Sequence, residues 1–140
     1  MTRSKIREHI FKLLFRVEFN EMTDMPLQVR LYFDAPVSDE EEAMQVISEK
    51  DETYITEKYD KIVALIPEID QRIDQAAKGW KASRLGKVDL TILRLAVYEM
   101  IYDEDIPVSV AIDEAVELAK RFGQDGSASF VNGILANLAK

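Results

Sequence analysis

Three cations, Arg3, Lys5 and Arg7, occupy alternate positions in TRSKIREHIF, where a run of helical periodicity begins. Cations at a helix start suit phosphate, because the unpaired backbone N–H groups of the first turn add positive potential at the same place. Phe11, Phe15 and Phe19 follow in one row at i+4 spacing. Cations beside aromatic rings are what single-stranded RNA requires, since phosphates take the charge and unstacked bases take the π-faces. A plain basic helix start with two core-facing stripes fits the same residues, and the pattern alone leaves both readings open.

Catalytic chemistry is hard to place. His9, the single histidine, has Glu8 and Phe11 as neighbours and no evident partner to make it a general base. The absence of cysteine removes disulfides, thiolate nucleophiles and Cys-ligated metals, and no histidine spacing suits a metal ion. The acids Asp39 to Glu42 read as the solvated first turn of a helix, without the alternating ligands of a calcium loop. Gly123, Gly126 and Gly133 lack the preceding strand and the following lysine of a phosphate loop. The expectation is a binding protein with no cofactor and no metal, not an enzyme.

Charge is unevenly spread over a chain whose formal net charge is −8. Residues 1–16 carry five bases against one acid, net +4, whereas residues 17–77 carry five bases against sixteen acids, net −11. Lys78, Lys81, Arg84 and Lys87 form a second basic cluster with no acid among them. A polyanion would therefore be bound at a local patch and not through the global field. With 47% hydrophobic and 31% charged residues in 140, the chain reads as one soluble globular domain. No apolar run approaches a membrane span and the N-terminus lacks the pattern of a signal peptide, so a cytoplasmic protein is expected.

The elements that must position these groups are helices. No stretch alternates apolar and polar residues long enough for a sheet. The first helix, about 4–20, places Ile6, Ile10, Leu13 and Val17 on one stripe. A short helix covers about 26–34, with Pro26 suited to its first turn. Ser38 reads as the N-cap of the next, with acids behind it where the helix dipole favours them, and periodicity runs on to Leu65 with a break near 49–52. Pro67 ends or kinks that run, and a further helix covers 68–78. The segment 88–103 is apolar nearly all round, which marks a central helix; Arg94 within it needs a charged partner, for which Glu99 is the nearest in sequence. Trp80 and Tyr98 read as core or seam residues. Another helix runs to Phe122, with Glu117 and Arg121 paired on its outer face. In the last, FVNGILANL, Gly133 is expected to admit a neighbouring backbone and Asn132 to bond a loop or helix end.

The C-terminal sixty residues carry a specific pattern. It runs W80-x3-R84-L85-x3-D89-x2-I92-L93-R94-L95-A96-x-Y98-E99, then I106-P107-x2-V110-A111-I112-D113-E114-A115 to F122-G123, then S127-x2-F130-V131-N132-G133-I134-L135. This order and spacing resembles the NusB family of bacterial transcription factors, and the N-terminal R7-x2-I10-F11-x-L13-L14-F15 agrees more loosely. The resemblance implies an all-α fold of about seven helices in two packed sub-bundles, here about 1–79 and 80–140, within a single RNA-binding domain. It implies no enzymatic activity, and binding of the boxA sequence of nascent transcripts, notably from rRNA operons. Ribosomal protein S10, which doubles as NusE, is the implied protein partner within the RNA polymerase antitermination complex, and a homodimer is also admitted.

Site residues carry over by position. Arg3, Lys5 and Arg7 match the RNA face, and the loop residues Gln124, Ser127 and Ser129 border it. Phe15, Asp89 and Phe130 match the NusE contact. The arginine run of the family is thinned here, so RNA alone would be held weakly and NusE would assist. Two alternatives stand beside this reading. One is a protein adaptor without an RNA role; the other, an rRNA cytosine methyltransferase with a NusB-like domain, is disfavoured by the absence of a cysteine nucleophile and of a cofactor-binding domain.

Overall fold

A computed structural model describes residues 1–34 and 46–140. Among the described residues there are seven α-helices and no strand, the expected all-α class. The expected cap at Ser38 and the acids Asp39 to Glu42 lie outside the described residues. The chain divides into two compact units, Met1–Lys61 and Ile62–Lys140.

In the first unit, α1 (Arg3–Arg16) starts at Thr2, whose Oγ1 accepts a hydrogen bond from the Lys5 backbone N–H at 3.1 Å. This cap satisfies one of the orphan donors of the first turn. Ile10, Leu13 and Leu14 bury the inner face. The helix stops earlier than the periodicity suggests, because Val17, Glu18 and Phe19 form tighter turn bonds and the Asn20 side chain donates to the Arg16 carbonyl at 2.8 Å. After a 3₁₀ turn at Met22–Asp24 comes α2 (Met25–Asp34), with Pro26 in its first turn as expected. Arg16 ties the two together: its Nη1 donates to the Gln28 carbonyl at 3.1 Å and its guanidinium sits 5.2 Å from the Tyr32 ring centre. His9 Nδ1 is hydrogen-bonded to the same Tyr32 hydroxyl. The helix α3 (Glu49–Ala64) begins where the sequence suggested a break: Ser48 Oγ accepts from the Asp51 N–H at 3.1 Å, and Glu49, Asp51 and Glu52 fill the first turn. The unit boundary falls in its last turn.

The second unit is built on α5 (Lys87–Ile101), around which α4 (Ile66–Ala76), α6 (Val108–Phe122) and α7 (Ser127–Leu138) are arranged. Every residue of α5 from Leu90 to Glu99 is buried, as its nearly uniform apolar pattern requires. Pro67 lies in the first turn of α4 and so starts this helix instead of merely ending its predecessor.

The second unit takes in α4 together with the helices that follow residue 80. The helix α4 belongs with α5 and α7, since Asp70 pairs with Arg94 and the Asn137 side chain donates to the Ala76 carbonyl at 3.3 Å. Asp74 Oδ1 also accepts the Ala82 N–H at 2.6 Å, fastening the connector after α4 to the same unit.

Candidate nucleic-acid interface

The first turn of α1 holds no acid, and Arg3 is exposed there. A cation at a helix N-terminus opposes the macrodipole, so its presence costs stability unless an anion joins it. Lys5 is partly exposed and pairs with Glu8 at 3.3 Å, while Lys12 pairs with the other Glu8 oxygen at 3.2 Å. Glu8 itself is buried. One carboxylate thus sits between two ammonium groups and fixes their stems along the helix. Arg7 is only 4% exposed. Its expected role as a direct phosphate contact does not fit that burial; position 7 lies one turn beyond Arg3 on much the same face, where the surrounding chain covers it, while positions 3 and 5 stay accessible. Arg3 and Lys5 are the cations this turn offers to solvent.

The aromatic row leads from core to surface. Phe11 is buried, Phe15 is half-buried and Phe19 is 59% exposed. The rings follow one another, with 6.1 Å between the centres of Phe11 and Phe15 and 4.9 Å between those of Phe15 and Phe19. Phe15 is therefore accessible at one edge and held at the other, a suitable condition for a contact residue.

In the second unit the loop before α7 is locked from within. The backbone N–H of Gln124 donates to Ser127 Oγ at 3.0 Å, and the Ser127 N–H returns a bond to the Gln124 carbonyl at 3.0 Å. Gly126 has φ of 89°, a left-handed conformation that glycine adopts without strain. Ser127 is buried and shapes the loop, which leaves Gln124, Asp125 and Ser129 as the exposed polar side chains there. Ser129 and Asn132 line an open groove between α6 and α7 with Asp113, Glu117 and Lys120. Glu117 pairs there with Lys120 at 3.3 Å, one residue short of the Arg121 expected from spacing.

Asp89 stands in the first turn of α5, where the helix dipole favours a carboxylate, and is half-buried. Phe130, also half-buried, meets Trp80 edge-on, their ring centres 6.3 Å apart. Trp80 is 58% exposed, so the core half of the core-or-seam expectation does not hold. The structure thus joins Gln124 with Ser127 and Phe130 with Trp80, while Arg3 and Lys5 share the first turn of α1.

Two further expectations change. A Cβ at Gly133 would meet nothing within 4 Å, so no backbone approaches there. Asn132 is exposed, and the helix-end bond foreseen for it is made by Asn137 instead. Among the described residues no group of three or more His, Cys, Asp or Glu could hold a metal ion, and no helix is long and apolar enough to cross a membrane.

An all-helical chain whose exposed functional groups are helix-end cations, loop amides and hydroxyls, and half-buried aromatic rings is a helical binding protein. The NusB family profile matches residues 4–140. The chain is 49% identical to the transcription antitermination protein NusB of Lachnoclostridium phytofermentans, over 99% of this chain and 98% of that one. It is 48% identical to the NusB of Agathobacter rectalis, over 99% and 100%. A solved structure of T. maritima NusB superposes with a TM-score of 0.82 at 33% identity, covering 99% of this chain and 91% of that one. The chain belongs to the NusB family of transcription antitermination factors.

Proposed function

We propose that this protein is a non-enzymatic antitermination factor that binds boxA-type RNA of nascent transcripts, notably from rRNA operons, together with NusE, and acts in the cytoplasm within the RNA polymerase antitermination complex. The observation that carries the reading is the acid-free first turn of α1, with Arg3 exposed and Lys5 partly so beside the helix N–H groups. A phosphate there would be met by cations and by the helix dipole at once. A NusB with the same fold, 24% identical to this chain, has been crystallised with NusE and double-stranded RNA, which makes both partners reasonable candidates. The chemistry rests on this chain's own residues.

The burial of Arg7 supports weak binding of RNA alone. With Arg3 and Lys5 as the accessible cations of the first turn of α1, few phosphates are neutralised at that end, and each lost contact lowers affinity and flattens the salt dependence. NusE, docking on Phe15, Asp89 and Phe130, would supply the rest. The same burial, with a net charge of −8, also favours the adaptor reading, in which NusE binds and RNA does not.

Titration of labelled boxA RNA with and without NusE at two salt concentrations separates these readings. Salt-sensitive binding that tightens with NusE is expected. NusE binding with no RNA signal under either condition would establish the adaptor instead, and tight binding of RNA without NusE would remove the need for assistance.

A further inference from the structure

Six of the ten residues of α2 are large and apolar, and Met25, Leu27, Val29, Leu31, Tyr32 and Phe33 take up most of its circumference. A helix of that kind is expected to be covered on nearly all sides, as α5 is. Of the six only Met25 is buried. The flank towards α1 is covered, since Arg16 bonds Gln28 and His9 meets Tyr32. Leu27 and Leu31, one turn apart on the outer side, are 59% and 48% exposed, and Val29 and Phe33 are half-buried. On the α3 side, Pro26, Val29 and Phe33 form the floor of an open groove of about 350 Å³, with Glu52 and Thr56 as its far wall. Uncovered apolar surface rimmed by polar groups marks a place where another molecule docks.

The far wall is acidic. Glu49, Glu52, Thr56 and Asp60 follow at helical spacing and so share one flank of α3, on which the three acids are exposed. None of the three pairs with a base among the described residues. Asp34, at the edge of the groove, holds Arg30 only loosely, at 3.9 Å with both side chains mostly exposed. A nucleic acid would bring phosphates against these carboxylates. A second copy using the same face would set acid against acid, and one using its basic α1 would make a head-to-tail contact, which builds rings or open chains instead of a closed pair. A protein segment with apolar and cationic side chains suits both the floor and the wall. We propose that the groove between α2 and α3 docks a segment of a partner protein, an amphipathic helix whose apolar side chains lie over Pro26, Val29 and Phe33 and whose lysines or arginines face Glu52, Glu49 and Asp60. The site uses none of the residues expected to meet RNA or NusE, and so goes beyond that reading.

The full-length protein is titrated, with fluorescence anisotropy as the readout, against labelled helical peptides of three kinds: leucines on one stripe with lysines at its edges, the same with glutamates for lysines, and the lysine form with serines for leucines. Expected is saturable binding of the leucine–lysine peptide that weakens with salt, and much weaker binding of the other two. Thr56→Phe, which fills the groove, should raise the dissociation constant at least about fivefold, and a Glu52→Gln, Asp60→Asn double variant about threefold or more. Circular dichroism and thermal melts matching the parent's show that the variants are folded. NusE binding should be unchanged in Thr56→Phe. Equal binding of the glutamate or the serine peptide would overturn the proposal, as would no binding of the leucine–lysine peptide, or binding that neither variant weakens. Loss of NusE binding in Thr56→Phe would assign the groove to NusE, and a parent dimer in sedimentation that Thr56→Phe dissolves would assign it to a second copy; either result overturns a separate partner.

Discussion

Arg94 grips Asp70 with two parallel hydrogen bonds of 2.9 Å, Nε to Oδ1 and Nη2 to Oδ2, joining the most buried helix of the second unit to α4. The fork of the guanidinium matches the carboxylate, which gives direction as well as attraction. The Arg94 side chain is 10% exposed and that of Asp70 27%, so the pair is partly shielded from water. Removing one member takes both of these bonds from the other. Arg94→Ala is expected to lower stability by about 2–4 kcal/mol, and Asp70→Asn by less, because the amide oxygen still accepts one bond. Urea denaturation of both variants checks the order.

Two glycines in this unit have opposite characters. A Cβ at Gly123 would stand 2.6 Å from the Ala119 carbonyl oxygen and 2.6 Å from Ser127 Cβ, neither of which can move without disturbing the turn. Gly123→Ala should therefore cost about 1–3 kcal/mol. Gly133 lies within α7 with open space around it, and alanine there should add about 0.5–1 kcal/mol through helix propensity. Thermal melts of the two variants should move in opposite directions.

Tyr59 in α3 is buried, and its hydroxyl has no hydrogen-bond partner among the described residues. Burial, with the nearby Asp60 carboxylate adding to it, pushes its pKa up to about 12 from 10.0. The folded state therefore holds the phenol proton more tightly than the unfolded state, so the unfolded chain ionises first as pH rises. Below about pH 10 the group contributes no pH dependence; from about 10 towards 12 stability falls. Tyr59→Phe should abolish this alkaline loss and, by removing an unsatisfied hydroxyl, leave stability near pH 8 unchanged or raised by up to about 1 kcal/mol. Urea midpoints measured on both sides of pH 10 test it.

Helix content was legible because a 3.6-residue apolar period needs no tertiary information: the contiguous burial of Leu90 to Glu99 follows from their composition. Association among helices was not. The division into units depends on pairs such as Arg94 with Asp70, which lie 24 residues apart and which no local pattern announces. Polar side chains of one type are also interchangeable on paper: Asn137, not Asn132, reaches the end of α4. At the candidate site the cations were visible and their accessibility was not, since one turn of helix separates exposed Arg3 from buried Arg7. Trp80 shows the converse, an apolar residue carried outward by the left-handed turn at Lys78 and Gly79.

That difference between Arg3 and Arg7 makes a sharp test of the α1 site. Arg3 is exposed and opposes the helix dipole, so Arg3→Ala should leave the melting temperature unchanged or slightly raised while weakening boxA RNA binding. Loss of one phosphate contact should also reduce the slope of log affinity against log salt by about 1. Arg7 is 4% exposed, and Arg7→Ala should first lower stability, by about 1–3 kcal/mol, as the groups packed around its stem lose their contacts. RNA affinity measured well below the Arg7→Ala melting temperature should then change less than in Arg3→Ala. The reverse pattern, an unaltered melt and a larger loss of salt-dependent binding in Arg7→Ala, would mean that Arg7 leaves its buried position to meet RNA, and that α1 rearranges on binding.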